Sequence, residues 1–172
     1  QDLGFCLSEL FSNNDYRAEL AAQQIHPFGD AAILALQETM ASPDVEIRWW
    51  SIRALAEFHK PATNALLIRS LKDRDPDVRQ CAAQGLVMQA DPNSIPALIK
   101  ALNDEDSLVA RLAANALIAI GEESVLPLIG FIKTTDSPAR FEAMRALAMI
   151  TDERSVPTLF DALNDGSILI DY

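Results

Sequence analysis

DPDVRQCAAQGLVMQADPNSIPALIKALND, residues 75–104, reads as helix, turn, helix and loop, and near-copies of it lie on both sides. Leu55, Leu86, Leu117 and Leu147 hold one position of that unit, at steps of 31, 31 and 30 residues. Asp44, Asp75, Asp106 and Asp136 hold another, with the same three steps. A constant period of this length marks a helical repeat array, in which neighbouring units bury the apolar face that one unit cannot cover alone.

Within residues 75–104, Asp75 is placed to cap a helix. Pro76 falls at the first helical position, where its missing N–H costs nothing, and Asp77 faces the positive helix end. Val78, Cys81, Ala82, Gly85 and Leu86 recur at the three-and-four spacing of one buried helical face. Small residues at Ala82, Ala83 and Gly85 permit a neighbouring helix to approach closely. Asp91, Pro92 and Asn93 turn the chain, and Ile95, Leu98, Ile99 and Leu102 carry the second helix inward.

The same grammar divides the whole chain. Residues 1–12 form an N-terminal cap with an apolar cluster that includes Cys6 and Leu10, and repeats follow at 13–42, 43–73, 74–104, 105–134 and 135–165. Residues 166–172 open a further, truncated repeat. Asp30 is expected to cap the second helix of the first repeat. In 43–73 the first helix is expected to bury Ile47, Trp50, Ser51, Ala54, Leu55 and Phe58, and the second helix Leu66, Leu67 and Leu71. In 105–134 the second helix needs a one-residue shift to keep Leu128, Ile129 and Ile132 inside. The last full copy begins at Asp136. A first residue other than Met, and a finish inside a repeat, suggest an excerpt from a longer array.

Composition agrees with helices and excludes several functions. Hydrophobic residues make up 49% of the chain but aromatics only 6%, so the interior is aliphatic and Ala-rich, which suits close helix packing better than a sheet. The net charge of -11 opposes nucleic-acid binding, which needs clusters of Lys and Arg to displace counterions, and it opposes docking on an anionic membrane. A basic protein partner fits the charge better. No uncharged apolar run approaches the roughly 18 residues of a membrane-spanning helix. Two cysteines, Cys6 and Cys81, are too few for a disulfide framework, which points to a reducing cytoplasm.

Burying one Leu, Ile or Val side chain contributes about 1.5–3 kcal/mol, while ordering one residue costs roughly 1–2 kcal/mol of backbone entropy. The inward side chains of a single helix pair do not offset the ordering of a whole repeat, so the pairs must stack. Stacking in register predicts an all-α, right-handed α-α superhelix of armadillo type, with first helices outside and second helices on the concave face.

Asp75, Val78 and Arg79, followed by an Ala-rich helix, make this grammar resemble HEAT-like repeats of the phycobilisome-lyase type. Residues 151–157 (TDERSVP), followed by Leu159, Ala162, Leu163 and Asp165, are similar to the second half of that repeat. The resemblance covers nearly the whole chain from about Asn13 and implies more about fold than about function. Families that share it include bilin lyase subunits, phycobilisome-degradation factors, deoxyhypusine hydroxylase and adaptors. It also implies a ladder of hydrogen bonds joining successive repeats. Arg48, Arg79 and Arg140 would be its donors, and Asp73, Asp104 and Asp165 its acceptors. Ala110 stands where the fourth Arg would be, so the ladder is expected to break there unless Arg111 reaches back.

Candidates for chemistry are few. His26 and His59 fall near successive helix–turn positions, but neither forms the His-Glu dyad with which the hydroxylase holds iron. Cys81 sits in a small-residue column with no nearby base, and no nucleophile–base pattern or Gly-rich phosphate loop occurs. No catalytic residue, metal or cofactor is expected. The candidates for binding are the positions that differ between copies: Glu38, Arg69, Lys100, Gly130 and Asp161 in one outward row of the second helices. Trp49 is a further anchor, since Trp49 and Trp50 cannot both face the core of one helix. Asp91, Glu122, Glu123, Asp152 and Glu153 give the turns an acidic rim. The reading is a scaffold that binds a protein or peptide on its concave face. The alternatives are a bilin lyase-like subunit or pigment-protein handling factor and, less favoured, a hydroxylase-like oxygenase.

Overall fold

The helical period is realised as eleven α-helices and four single-turn 3-10 segments among the residues the computed structural model describes, 2–164. No strand occurs among them. The helices are α1 (Leu3–Leu10), α2 (Asp15–Gln24), α3 (Gly29–Thr39), α4 (Val45–Leu55), α5 (Pro61–Ser70), α6 (Pro76–Gln89), α7 (Ile95–Ala101), α8 (Ser107–Ile120), α9 (Val125–Thr134), α10 (Ala139–Ile150) and α11 (Val156–Asn164). The fold is of the all-α, α-α superhelix class. The truncated repeat expected at residues 166–172 and the ladder residue Asp165 lie outside the described residues. No described helix is long and apolar enough to cross a membrane.

The chain divides into two compact units, Gln1–Gln89 and Ala90–Tyr172. In the first, α1 covers α2, the first helices α2, α4 and α6 stack in a row, and the second helices α3 and α5 pack on α4 and α6. In the second, α8 packs on α10, α7 lies against α8 and α9, and α9 and α11 flank α10. The Leu column that set the period is fully buried at all four positions, Leu55, Leu86, Leu117 and Leu147. Ala22, Ile25, Leu36, Ile52 and Leu67 complete the core of the first unit; Leu98, Val109, Ala113, Val125 and Leu128 serve the second.

Gly85 sets the distance between α6 and its neighbours. A Cβ at that position would stand 3.1 Å from both the Ala56 Cβ and the Leu67 Cδ1, so a larger residue would have to push α4 and α5 away. Where the first helices end in α6, α8 and α10, Ala90, Gly121 and Thr151 occupy one left-handed turn position, with φ of 47°, 85° and 57°. Only Gly adopts such a φ without steric cost.

The aspartate caps form at Asp44, Asp75 and Asp106, whose carboxylates accept from Glu46, Asp77 and Leu108 N–H at 2.9 Å. Asp136 departs from the pattern. It is exposed, and α10 starts three residues later with Pro138 as its cap residue. In the central repeat Pro follows the cap directly, whereas here Ser137 intervenes, and a residue preceding Pro is driven out of helical conformation. Asp30 is likewise no cap: α3 starts at Gly29 after Phe28, and the Asp30 carboxylate instead meets Lys60 Nζ at 2.6 Å.

The buried arc of α4 also differs from expectation. Arg48, Ser51, Ile52, Ala54 and Leu55 are buried, while Ile47 and Trp50 are only half-buried. α8 buries the same repeat positions, with Ala110 in place of Arg48, so this arc belongs to the repeat.

Candidate partner-binding surface

Arg48 is 5% exposed, and its guanidinium is almost fully engaged. Nε and Nη2 donate to the two oxygens of Asp73 at 3.0 and 2.9 Å, and Nη1 donates to the carbonyls of Ser42 and Pro43 at 3.0 and 3.2 Å. Asp73 also accepts from Asp75 N–H at 2.9 Å, its own carbonyl accepts from Arg79 Nη1 at 2.9 Å, and Arg74 donates to Pro43 O at 2.9 Å. These bonds tie the loop before α4 to the loop before α6. Burial pushes the Asp73 carboxyl up, but the Arg48 guanidinium and the Asp75 N–H outweigh it and hold the group below the usual carboxylate range. The same hydrogen bond raises Arg48, so both groups stay charged. An open notch of about 480 Å³ beside them, lined by Ser42, Pro43, Lys72 and Arg74, has its inner cations already bonded to protein oxygens.

In the second unit, Asp104 accepts from Asp106 N–H at 2.9 Å, Ala110 is buried, and Arg111 is exposed. The two loops there are joined by a neutral bond instead, from Ser137 Oγ to Asn103 Oδ1 at 2.7 Å. Arg140 is half-buried at the second residue of α10.

A second seam, between first helices, was not anticipated from the sequence. Arg53 on α4 pairs with Glu19 on α2 and with Glu57, the latter at 2.5 Å. Arg145 on α10 pairs with Glu142 at 2.8 Å and reaches Asn115 Oδ1 on α8 at 3.0 Å. The signal was present in the column Arg53, Gln84, Asn115, Arg145, whose members all have long or polar side chains.

The outward row of the second helices is exposed at every position: Glu38 on α3, Arg69 on α5, Lys100 on α7, Gly130 on α9 and Asp161 on α11. One helical turn earlier on α3 and α9 stand Leu34 and Leu126, each 63% exposed, and Phe160 beside Asp161 is exposed to the same degree. Lys133, exposed on α9, completes a stripe with Leu126 and Gly130 at offsets of four and seven. Leu126 and Lys133 were missed because they stand one helical turn away from the row that varies between copies. A Cβ at Gly130 would find nothing within 4 Å, so no packing inside the chain requires glycine there. An exposed mid-helix Gly costs roughly 0.5–1 kcal/mol relative to Ala. Arg69 extends toward Met40 Sδ, at 3.9 Å.

The remaining candidates are less open to a partner. Trp49 is half-buried and packs edge-on against Trp50, with ring centroids 4.7 Å apart, so its ring is partly committed within α4. His26 and His59 are both exposed. Among the described residues no group of three or more His, Cys, Asp or Glu side chains is gathered as metal ligands would be. Burial pushes the Cys81 thiol up to about 12, and it raises Cys6 as well. On the rim, Glu122, Glu123 and Glu153 are exposed, but Asp152 is held by Arg154, whose side chain and N–H lower it to about 2. Arg154 therefore makes this rim mixed rather than purely acidic.

A profile of HEAT repeats matches residues 30–118 and 95–169. No curated protein matches the chain. Among solved structures, the crystal structure of an engineered protein is 25% identical, covers 97% of this chain and 87% of its own, and superposes with a TM-score of 0.57. A chain in the complex of CpcE and CpcF of phycocyanin lyase from Nostoc sp. PCC7120 is 24% identical and superposes with a TM-score of 0.62. That match covers 96% of this chain and 70% of the other. Both solved structures share the fold.

Proposed function

The chain belongs to the HEAT-repeat family, and from that membership we propose a scaffold without chemistry of its own, which binds a protein or peptide partner on its exposed second-helix surfaces. One observation carries the reading. The buried column Leu55, Leu86, Leu117 and Leu147 keeps the same residue from copy to copy, while the exposed row changes from Glu38 to Arg69, Lys100, Gly130 and Asp161. A merely solvated surface would need neither the exposed Leu126 nor the unfilled Gly130. Trp49 is the secondary anchor, and the charge of -11 favours a partner with basic character toward the rim.

Affinity capture from the native lysate, followed by charge reversal at Arg69 and Lys100, tests this. Loss of the captured partner on reversal supports the proposal. A partner that ignores every second-helix substitution removes it.

A second reading, a subunit of a lyase acting on a pigment protein, is supported by the likeness to the phycocyanin lyase complex. Titration of the purified chain with a bilin discriminates the two. A change in visible absorbance or fluorescence favours the lyase reading, and none favours the scaffold.

A further inference from the structure

Two departures from the repeat meet where α5 packs on α6. Asn64 on α5 stands in a column whose other members are Ile33, Ile95, Val125 and Val156. It is 3% exposed, and no protein group donates to its Oδ1. A buried carbonyl oxygen without a donor has lost its hydration and gained no bond in exchange. Gly85 on α6 stands in a column that holds Ala54, Ala116 and Ala146. Leu67 and Ala56 crowd the space its side chain would take. Glycine inside a helix weakens it, so α6 relies at this point on Leu67 of α5 staying in place. The two ends of the α5–α6 contact are held differently. The loop between the helices is pinned by the buried Arg48–Asp73 ion pair and by Arg74 on the Pro43 carbonyl. At the other end a neutral bond, Gln89 Nε2 to Phe58 O at 2.9 Å, ties α6 to the turn after α4. The start of α5 is held to α3 by the exposed pair of Lys60 and Asp30, which solvent screens.

We infer that the contact between α5 and α6 is a conformational joint, which opens at the Asn64–Gly85 end and pivots on the Arg48–Asp73 loop while the other helices of residues 1–89 stay folded. Opening hydrates the Asn64 carboxamide, a gain with no counterpart at Ile33, Ile95 or Val125. Withdrawing Leu67 leaves Gly85 unsupported inside α6, so the last turns of α6 loosen together with α5. The charged pair survives as the pivot, because breaking it would strand a buried guanidinium. Arg69 rides on α5, so the opening moves it relative to Glu38 on α3 and changes the spacing of the outward row. The inference concerns the free chain and does not rest on the scaffold reading.

Native-state hydrogen exchange of the whole chain, read by mass spectrometry, tests this. Amides of residues 64–70 and 83–89 are expected to exchange through an opening of low denaturant dependence, ahead of those in the middle of α3 and α4. Asn64→Leu keeps the branched shape of the side chain and removes its polar atoms. It should slow exchange in those two stretches about tenfold, which is about 1.4 kcal/mol, and leave α3 unchanged. Gln89→Ala, which removes the neutral bond at the opening end, should speed exchange there about fivefold. The order of exchange in the wild-type chain needs no substitution, and it decides the matter if Asn64→Leu does not fold. Wild-type exchange in α5 and α6 as slow as in α3 and α4 overturns the inference. So does an Asn64→Leu effect that is absent, as it would be if a bound water already satisfied the carboxamide. An effect spread evenly over residues 1–89 overturns it too, since Asn64 would then act on global stability alone.

Discussion

Replacing Asp73 with Asn keeps the shape of the side chain and removes its charge, leaving the Arg48 guanidinium buried against a neutral partner. Removing one member of a buried ion pair costs about 3–5 kcal/mol where the survivor is wholly stranded. Here the Arg48 side chain is 6% exposed and that of Asp73 16%, and Arg48 Nη1 keeps the Ser42 and Pro43 carbonyls. Hydrogen bonds to charged groups contribute roughly 1.5–3 kcal/mol each. With one acceptor oxygen remaining on Asn, the expected loss is about 2–3 kcal/mol, at or below the lower end of the range for a broken pair. Urea unfolding followed by far-UV circular dichroism measures it, and hydrogen exchange places the loss in α4, α5 and α6. Arg48→Met alone should also destabilise, and Arg48→Met with Asp73→Asn should cost less than the sum, because no stranded charge remains. The pH dependence gives an independent check. The folded-state pKa of Asp73 is lowered, so its contribution is full above the unfolded carboxylate value and disappears as pH falls through the folded value. Wild type and Asp73→Asn should therefore converge in stability toward acid pH. A loss under about 0.5 kcal/mol, the size of an ordinary surface substitution, or a gap that persists in acid, would refute the joint as an energetic element.

Three further outcomes follow from local geometry. Gly130→Ala should stabilise by about 0.5–1 kcal/mol, since it restores helix propensity into open space, whereas Gly85→Ala should destabilise by about 1–2 kcal/mol through contact with the Ala56 Cβ; paired thermal melts would show opposite signs. Thr151→Gly should raise stability by roughly 0.5–1 kcal/mol, as relief of a left-handed β-branched residue exceeds the added entropy of the unfolded chain, and a denaturation midpoint that falls would contradict this. Cys81, with its thiol pushed up to about 12, should react with a thiol reagent at neutral pH only after unfolding, and rapid labelling of the native protein would place it outside the core.

Periodicity made the architecture legible before any contact was known. The Leu column and three of the four Asp positions behave as one would read them, because burial and capping are properties of local spacing. Where sequence reading failed, one neighbouring residue overruled the period. Pro138 delays α10 past Asp136. The Arg53 and Arg145 seam escaped notice because its partners, Glu19 and Asn115, lie 34 and 30 residues away, and a column of long or polar side chains does not by itself say which of them bond. On the candidate surface, Glu38, Arg69, Lys100 and Asp161 could be named from their variation, but the exposure of Leu126 and Phe160 could not.

Donor accounting separates the residues that join repeats from those available to a partner. A guanidinium has five N–H donors, and in Arg48 its three nitrogens are all bonded to protein oxygens in adjoining loops, with Nη1 shared between two carbonyls. A partner's carboxylate would have to displace Asp73 from a site that has already excluded water. Arg69 and Lys100, by contrast, are exposed on the second helices, in the row proposed to meet a partner. For these the desolvation cost of docking falls only when a partner arrives, and the Coulomb gain is then realised in the complex rather than in the free chain. Charge reversal should accordingly change stability at Arg48 and binding at Arg69 and Lys100. A reversal at Lys100 that unfolds the chain, or one at Arg48 that spares it, would invert this division of roles.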